Sequence, residues 1–598
     1  MNTSRKLIKM QNNRSGHTNI LLRLLEVPDV AQSNWTGNWQ LHDAQDGRDI
    51  SLIATSPDTI RFDGLFDSFF ETYWARFTAL KSVSLKCRVQ GPVAIRLLRR
   101  DATTGVETCV SRWETEFDSQ EQTVTIELPL ASAHNSESRL IAELTAIAAG
   151  ARITAPQWVT RQKPARDVRL GVVITTFNRE SFVARNLQRL VGRLDGGRLI
   201  VINHGSPGLS SRMPDTLQID PSISFIDQEN SGGAGGFTRG MVEHFAAGDI
   251  THILLMDDDI ELMGDLVERV TAVLSYADAN YCLGGAMFDF HCRSQLFSAG
   301  DILLPDSFGI AHIVPAEGCD ILQSSGVDFL TLVHQPDFNG WWCFAFPVEA
   351  MEAAGLPIPC FIRGDDVEYG YRLKRTGWPT LSWPGLAVWH MPFKAKEAAW
   401  QIFYDRRNSL FANTIHRRVG LRATLGKLVG GFILHLLRYD YARVEAMTRG
   451  IAAFNQGSDA MVRWSHQDHV KLIAAIDSKC HVLGLAALDS SLPRCSLQPL
   501  AKKIRGMTIA VRFAIDLLWP WRRTTVTLLA PGQSWRGDYR QRPAIVAETN
   551  DTGKPIAIYR YHWRSAWSAT GRCLLALVSL IWHFDQPMPL TWPEKTQQ

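Results

Sequence analysis

The chain has 598 residues, of which 45% are hydrophobic and 21% charged, and its formal net charge is +3. This length exceeds what one hydrophobic core organises, and it predicts about three or four domains. The nearly neutral charge gives no indication of a nucleic-acid-binding protein.

The cysteines and the apolar segments favour a cytoplasmic protein. The ten cysteines include no C-x-x-C pair, and scattered thiols of this kind are typical of a reducing compartment. Residues 21–25 are too short an apolar stretch for a signal peptide, and no run of transmembrane length is expected. Residues 502–523 combine basic side chains with two tryptophans. That combination suits either a helix lying on an anionic bilayer or a buried helix with a basic face.

Residues 1–160 are predicted to form an N-terminal β-sandwich domain. The segments 82–89 and 124–128 alternate apolar and polar side chains with a period of two, as strands do. Between residues 62 and 77 the chain holds seven aromatic side chains. They suit a hydrophobic core between the sandwich and the next domain, which we favour, or a surface that stacks on sugars.

Residues 161–416 are predicted to form an α/β domain. Its apolar strands are expected at 168–175, 199–202, 223–226 and 253–256, with helices at 180–194 and from Phe237. Strands that alternate with helices favour a mostly parallel sheet with right-handed crossovers.

Residues 417–598 are predicted to form a mainly helical domain. The expected helices are 424–446, 459–485 and 501–518, and a hairpin or loop is expected near Ala530.

Three consecutive acids, Asp257, Asp258 and Asp259, follow the last apolar strand of the α/β domain. The carboxyl ends of such strands form the edge where open α/β sheets bind ligands. Residues two apart on an extended segment point the same way, so Asp257 and Asp259 are expected to converge and Asp258 to point elsewhere. Oxygen ligands suit Mg²⁺ or Mn²⁺, and His390, which follows another apolar stretch, would complete such a site. The alternative is a solvated acidic turn.

Other polar residues follow neighbouring elements of the same domain. Arg179 comes after the first strand and Asn203 ends the second. The run 230–237 starts at Asn230 and has four glycines just before a predicted helix, an arrangement that suits a diphosphate at the helix N-terminus. A flexible structural loop is the alternative.

A second acid pair, Asp365-Asp366, opens a predicted helix. Because one helix cap needs only one acid, the other is a candidate general base. The paired tryptophans Trp341 and Trp342, which precede this pair, suit either a sugar platform or a hydrophobic core.

Taken in order, these motifs resemble inverting family-two glycosyltransferases of the GT-A fold. More narrowly, they are similar to the polymerising galactofuranosyltransferases of the mycobacterial cell wall. The resemblance is carried by Phe177-Asn178-Arg179, the run 230–237, Asp257-Asp258-Asp259, Trp341-Trp342, Asp365-Asp366-Val367-Glu368, Trp389-His390-Met391 and Tyr404 with Arg407-Asn408. It implies an α/β, Rossmann-like GT-A core between the N-terminal β-sandwich and the C-terminal helical region.

The resemblance also implies a role for each matching residue. Asp257, Asp259 and His390 would hold Mn²⁺ or Mg²⁺ on the diphosphate of UDP, and Asp366 would be the base that deprotonates the acceptor hydroxyl. The implied nucleotide contacts are Arg179, Asn203, Asn230, Arg407 and Asn408, with Tyr404 beside them. The implied sugar contacts are Asp258, Asp365, Trp341 and Trp342. Gly364 and Phe393 stand where these polymerases tend to have tryptophan.

The implied activity is metal-dependent, inverting transfer of galactofuranose from UDP-galactofuranose to a hydroxyl of a surface-glycan acceptor. The implied partners are a UDP-sugar and a glycan or polyprenyl-linked glycan, at the inner face of the cell membrane, with a homo-oligomer as a further expectation. Two alternatives stay open: transfer from another donor, rhamnosyl or pyranosyl, and a catalytically inactive carbohydrate-binding scaffold.

Overall fold

The structure, a computed structural model, describes most of the first 478 residues and parts of the remainder. The described residues are 18–25, 28–29, 38–42, 50–115, 120–131, 137–305, 307–391, 398–478, 511, 514, 525–529, 545–549 and 555–585. The predictions for Phe393, Ala530 and nearly all of 502–523 lie outside these residues.

The N-terminal part consists of two antiparallel sheets that face each other across an apolar core, which confirms the predicted β-sandwich. Its strands are β1 Asn19–Arg23, β2 Trp39–His42, β3 Ser51–Ala54, β4 Asp58–Phe62, β5 Ser82–Gln90, β6 Val93–Asp101, β7 Glu107–Glu114, β8 Gln122–Pro129, β9 Ser138–Ala146 and β10 Arg152–Thr160. One sheet has the order β2-β3-β10-β5-β8, with β1 on β10, and the other has the order β4-β9-β6-β7. The alternation that predicted β5 and β8 buries their apolar side chains between the sheets.

The aromatic segment joins the sandwich to the α/β part. Helix α1, Glu71–Phe77, carries Tyr73 and Trp74, and both rings pack edge-on against Trp383 of the α/β part at centroid distances of 5.4 Å. Phe66 packs on Trp389 in a tilted arrangement, with the ring centroids 5.9 Å apart. Six of the seven aromatic side chains are buried, so the hydrophobic-core interpretation is confirmed.

The α/β part is built on a nine-stranded sheet. Its strands are β11 Leu170–Thr176, β12 Arg198–Asn203, β13 Ile223–Asp227, β14 His252–Asp257, β15 Ile260–Leu262, β16 Cys282–Asp289, β17 Leu296–Ser298, β20 Phe344–Pro347 and β21 Thr380–His390; a separate pair consists of β18 Asp301–Leu303 and β19 Ile310–His312. The main order is β13-β12-β11-β14-β20-β16-β21-β15, with β17 on β16. The first four strands are parallel, and beyond β14 the sheet is mixed.

The helices of this part cover both faces of the sheet. They are α2 Glu180–Leu190, α3 Asp215–Gln218, α4 Gly232–Ala247, α5 Leu266–Tyr276, α6 Ser324–Thr331, α7 Val348–Ala354 and α8 Asp365–Arg375, with a 3₁₀ turn at Ser210–Arg212. The parallel strands end at a common edge, and the acid triplet lies there because β14 ends at Asp257. This arrangement is the α/β, GT-A core that the motifs predicted.

The C-terminal part is mainly helical and also contains a small sheet. Its elements are α9 Gln401–His416, α10 Leu421–Leu437, α11 Tyr441–Asn455, α12 Ser458–Arg463, α13 His466–Asp477, β22 Val526–Leu529, β23 Ile545–Thr549, β24 Pro555–Arg560 and α14 Trp563–His583. The prediction of a single helix at 424–446 is wrong. Helix α10 ends at Leu437, and the backbone changes direction at Tyr439, whose φ is +61°. Asp440 then caps α11 by accepting a hydrogen bond from the Arg443 backbone N–H.

Helix α14 is long and apolar enough to cross a membrane, judged by length and composition alone. The expectation that no segment reaches this length does not hold for it, because the helix begins at Trp563, ten residues before the short apolar run 573–584. Only 28% of its most apolar stretch is buried inside the structure.

Candidate active site

The candidate metal centre lies where two strands of the large sheet meet. Asp257 ends β14, His390 ends β21, and Asp259 precedes β15, which pairs with β21 through Ile260 and His390. One ligand atom from each of Asp257, Asp259 and His390 lies within 4.8 Å of the others. His390 Nε2 is 3.0 Å from Asp259 Oδ1. Two carboxylates and an imidazole suit Mn²⁺, so these side chains fit the predicted cation.

Asp258 points away from this group, as the alternation of an extended backbone predicts. Its carboxylate accepts a hydrogen bond from Thr176 Oγ1 at 2.7 Å. Arg179 lies between the two sets, with Nη1 donating to Asp259 Oδ2 at 2.5 Å and Nε 3.9 Å from Asp258. Arg179 therefore partly balances the negative charge of the triplet, through the Asp259 oxygen that His390 does not contact.

The protein groups around the triplet do not fully stabilise its negative charge, as the raised pKa values of two of its carboxyl groups show. Burial, followed by repulsion from Asp259, raises the pKa of Asp257 to about 7. Burial is also the main cause that raises the pKa of Asp258 to about 6. A divalent cation would favour the ionised form of both carboxyl groups. The electrostatics thus agree with the donor set in favouring a cation, and they argue against a solvated turn.

The second acid pair opens helix α8 on the other side of the site. Asp366 Oδ1 accepts a hydrogen bond from the Val367 backbone N–H at 2.8 Å. Burial raises the pKa of Asp366 to about 6, with a smaller contribution from Asp257. Burial, followed by repulsion from Asp366, raises the pKa of Asp365 to about 7. The electrostatic effect of Asp257 on Asp366 indicates that the two acid clusters lie near each other.

Glu368, in the same first turn of α8, has a structural role. It is completely buried and makes a bidentate pair with Arg372 at 2.9 and 2.7 Å. His416 Nε2 lies 2.9 Å from the same carboxylate. Because Glu368 already has buried partners, a proton-transfer role falls to Asp365 or Asp366.

The glycine-rich run begins a helix and does not precede it. Helix α4 starts at Gly232, whereas the sequence predicted a start at Phe237. A Cβ on Gly236 would lie 2.0 Å from Thr175 Oγ1, and one on Gly240 would lie 2.3 Å from Val173. Glycine is therefore needed because the helix packs directly on strand β11. This close packing brings the N-terminus of α4 to the ligand-binding edge.

Asn230 and Asn203 both brace the backbone near this edge. Asn230 Oδ1 accepts a hydrogen bond from the Gly232 backbone N–H at 2.9 Å. The Asn203 amide donates to Asp227 Oδ1 at 2.6 Å and accepts from the Gly205 backbone N–H at 3.0 Å. Their nucleotide contacts stay predictions, and in the structure each residue fixes a turn.

The paired tryptophans lie in the hydrophobic core. Trp341 and Trp342 expose only 4% and 6% of their surfaces. Trp341 packs edge-on against Phe237 and Tyr369, and Trp342 donates its indole N–H to the Gly285 carbonyl at 2.9 Å. The Trp341 indole nitrogen is buried without a hydrogen-bond partner among the described residues. Their contact with sugar stays a prediction.

Two stretches of the chain match known protein families, and both families agree with the predicted glycosyltransferase. Residues 167–408 match the family described as "Glycosyltransferase like family 2", and residues 34–160 match "Galactofuranosyltransferase 2 N-terminal". The predicted enzyme class, a glycosyltransferase, is confirmed, and residues 167–408 are similar to glycosyltransferases of family 2. The predicted resemblance to mycobacterial galactofuranosyltransferases is confirmed as well.

Two curated relatives of this glycosyltransferase are named Galactofuranosyltransferase GlfT2. The protein of Mycobacterium tuberculosis (strain ATCC 25618 / H37Rv) is 29% identical over 68% of this chain and 67% of its own length. That of Mycolicibacterium smegmatis (strain ATCC 700084 / mc(2)155) is 27% identical over 68% and 66%. The chain thus matches about two thirds of each relative.

Solved structures of other glycosyltransferases are more distant. The mannosyltransferase PcManGT from Pyrobaculum calidifontis, in complex with GDP-Man and Mn²⁺, is 14% identical, with a TM-score of 0.30 over 53% of this chain and 81% of its own. S. aureus TarS 1–349 is 11% identical, with a TM-score of 0.29 over 52% and 90%. TM-scores this low do not support a fold assignment, which rests on the strand order and the family match.

Arg407 and Asn408 of the glycosyltransferase are buried beneath the acid pair. Arg407 Nη2 donates to the Cys360 carbonyl at 2.7 Å, and Asn408 donates to the carbonyls of Ile362 and Arg363 at 2.9 and 2.6 Å. Burial lowers the pKa of Arg407 to about 10. Their contact with pyrophosphate stays a prediction; in the structure they hold the segment that leads into Asp365.

That segment, residues 360–364, has a strained backbone. Phe361 and Arg363 have φ values of +68° and +65°, and Gly364 has +84°. A positive φ in a residue other than glycine costs about 1–3 kcal/mol and persists only where the surroundings enforce it. We name this segment the acid-pair loop, because it sets the start of α8 and hence the position of Asp365 and Asp366.

Sequence reasoning missed Asp227 and His204 at the same edge. The Asn203 side chain and the Gly208 backbone N–H hold the pKa of Asp227 below its usual range. Burial lowers the pKa of His204 to about 4, and its Nε2 lies 2.8 Å from Gln228 Nε2. Both residues lie at the carboxyl end of a parallel strand, as the acid triplet does. The sequence could therefore have identified them by the rule that identified the triplet, since ligands bind at this edge of the sheet.

Proposed function

We propose that the protein transfers galactofuranose from UDP-galactofuranose to a hydroxyl of a surface-glycan acceptor, with inversion and with a divalent cation. The observation that carries this proposal is the Asp257–Asp259–His390 cluster, which lies near enough to the Asp365–Asp366 pair to influence its charge, with Asp365 beside Gly233 of α4. The names of the curated relatives and of the N-terminal family support the choice of donor sugar.

The cation would be held by Asp257, Asp259 and His390, and when bound it would offset the negative charge that develops on the departing diphosphate. Arg179 supports the same task, since its guanidinium already lies at the triplet and carries a permanent positive charge. Asn203 and Asn230 fix the turns that would face the nucleotide. Asp258 would contact the donor sugar.

Asp366 is the proposed general base. With a pKa of about 6 it is mostly ionised at neutral pH, yet it is a stronger base than an ordinary carboxylate. It would accept the proton of the acceptor hydroxyl as the hydroxyl oxygen attacks the anomeric carbon and the bond to UDP breaks. Asp365 and the tryptophan pair would bind acceptor or donor sugar next to it.

A panel of donors tests this proposal. The purified protein is incubated with Mn²⁺ and, in turn, UDP-galactofuranose, UDP-pyranoses and dTDP-rhamnose, and release of nucleotide is measured. Turnover with UDP-galactofuranose alone supports the proposal. Turnover only with another sugar would overturn the furanose assignment, and nucleotide binding without turnover would favour an inactive carbohydrate-binding scaffold.

We also propose peripheral contact with the inner face of the cell membrane. The outer face of α14 exposes a stripe of large apolar side chains, and Arg564 on the same helix is an exposed cation. The stripe comprises Leu574, Leu575, Val578, Ile581 and Trp582. An apolar face with an adjacent cation is typical of a helix that lies on an anionic bilayer. The oligomeric state stays a prediction.

Vesicle sedimentation with phosphatidylglycerol-containing liposomes tests this contact. We expect Leu575→Ser with Trp582→Ser to reduce the bound fraction several-fold, because the apolar stripe would lose two of its most exposed members. Ile219→Ser, at an 80% exposed position outside the C-terminal part, is the matched control. Equal loss of binding in the control would overturn the assignment to α14.

A further inference from the structure

We propose that His469 of helix α13 is a positioning residue for Asp365 and Asp366, acting through the ring of Phe361 in the acid-pair loop. This inference rests on the proposed function, because it concerns the base of that reaction. His469 lies beyond both stretches that match family models, 34–160 and 167–408.

Phe361 lies at the centre of a three-residue turn at the start of the acid-pair loop. The Ile362 backbone N–H donates to the Cys360 carbonyl at 2.9 Å, which closes a three-residue turn around Phe361. Together with the φ of +68°, this bond makes it a γ-turn of the rare and strained type. Such a turn needs support from outside the loop, and Phe361 receives it on both its backbone and its side chain.

The backbone support comes from the glycine-rich helix. The Ala234 N–H donates to the Phe361 carbonyl at 3.1 Å. A Cβ on Gly232 would lie 2.1 Å from that same carbonyl oxygen. The acid-pair loop therefore rests directly on the N-terminus of α4, so a shift of Phe361 would separate the acid pair from the helix end that faces the donor.

The side-chain support comes from His469. The Phe361 and His469 rings stack with their centroids 3.7 Å apart and their planes 11° from parallel. His469 exposes only 3% of its surface. Its Nδ1 lies 2.7 Å from the Tyr404 hydroxyl, so Tyr404 of helix α9 fixes the orientation of the imidazole. Phe361 is thus clamped between α4 at its carbonyl and α13 at its ring.

His469 keeps one hydrogen-bonding state. Burial, followed by the positive charge of Arg407, lowers the pKa of His469 to about 3, so the ring is neutral at physiological pH. A neutral ring with its proton on Nε2 accepts at Nδ1, and the Tyr404 hydroxyl donates. The groups that face His469 from other elements are Tyr404 and Arg407 of α9, Phe361 of the loop and Trp464 before α13; His466 and Asp468 of its own helix also lie near it. These groups leave the clamp unchanged across the working pH range.

The first half of the test separates positioning from folding. The variants His469→Ala, His469→Phe and Tyr404→Phe are compared with the full-length wild type in a UDP-galactofuranose transfer assay. We expect kcat to fall more than tenfold for His469→Ala and less for His469→Phe, which keeps a ring to stack on Phe361. The affinity for UDP with Mn²⁺, measured by calorimetry, should stay within about twofold. For Tyr404→Phe we expect the smallest loss of kcat.

Hydrogen–deuterium exchange gives a second readout that is independent of turnover. In His469→Ala the peptide covering 358–366 should exchange faster, whereas β11 should be unchanged. His435→Ala, which removes another buried histidine of the C-terminal part, is the control for general destabilisation. Equal effects of His469→Ala and His435→Ala on kcat and on the 358–366 peptide would overturn the proposal. So would unchanged kcat in His469→Ala.

Failure of the His469 proposal can be distinguished from failure of the proposed function. If Asp366→Asn retains full transfer, Asp366 is not the base and the proposed function is wrong whatever His469 does. If Asp366→Asn abolishes transfer and His469→Ala leaves kcat unchanged, only the positioning role of His469 is wrong.

Discussion

The two acid clusters of the site lie on different kinds of backbone, one at the end of a strand and one at the start of a helix, and the backbone decides what each can do. On the extended segment after β14, alternate side chains converge, so Asp257 and Asp259 meet His390 while Asp258 turns to Thr176. A strand end therefore gathers several ligand atoms around one point. That is the requirement of a cation site.

At the start of helix α8 the same residue type behaves differently. Successive helical side chains diverge by about 100°, so Asp365 and Asp366 cannot converge as the strand pair does. Asp366 is held by the Val367 backbone N–H of its own helix, and burial raises the pKa of its carboxyl group. A helix start thus presents one acid at a time, which suits a proton acceptor.

The largest expected effect comes from removing the acid at the helix start. Asp366→Asn keeps the shape of the side chain and removes its basicity, so we expect the transfer rate to fall about 10²–10⁴-fold. The affinity for UDP with Mn²⁺ should change less than twofold, because the strand-end cluster of Asp257, Asp259 and His390 is intact. Transfer assays and calorimetry measure the two quantities.

The control for that variant is Asp278→Asn, an exposed acid outside the site, which should leave both quantities unchanged. A parallel loss of transfer and of UDP affinity in Asp366→Asn would mean that the two clusters have no separate functions.

A smaller effect on binding is expected from the strand-end cluster. Asp259→Ala removes a carboxylate that lies beside both His390 and Arg179. The Mn²⁺-dependent part of UDP affinity should fall by at least about 10–100-fold, the range for losing a group that only orients a metal ligand. Titration of UDP binding against Mn²⁺ measures this.

Asp258→Asn sharpens the same comparison within the triplet. Because Asp258 faces Thr176 and not the cluster, the Mn²⁺ titration should be unchanged even if transfer slows. A loss of Mn²⁺ dependence equal to that of Asp259→Ala would contradict the division of the triplet.

The strand-end site was predictable from the sequence because its rules are local. Apolar runs place the parallel strands to within two residues, and alternation alone separates Asp258 from its neighbours. His390 was predictable only as a polar residue after an apolar stretch, since the pairing of β21 with β15 is a long-range event. The aromatic segment 62–77 was predictable as core for the same local reason.

The helix-start site depends on contacts that one sequence does not reveal. Glycine is a poor helix former, so the run from Gly232 predicts a loop until the close approach of Thr175 and Val173 explains it. The burial of Trp341 and of Arg407, and the support of Phe361 by His469, likewise depend on segments far apart in the chain. Residues that match a motif can thus be buried and support the site through contacts with the protein core.

The smallest expected effect concerns the pH dependence of transfer. Asp366 must be unprotonated to accept a proton, and its pKa is raised to about 6. With donor and Mn²⁺ saturating, kcat should be level above about pH 6 and fall about tenfold per pH unit below it. The exposed Arg363 lowers this pKa through its charge, so Arg363→Gln should move the acid limb to higher pH by less than about one unit. A pH–rate series for the two proteins measures both effects. An acid limb that stays in place in Arg363→Gln would mean that the titrating group is not at the helix start, and the strand-end cluster would then be its source.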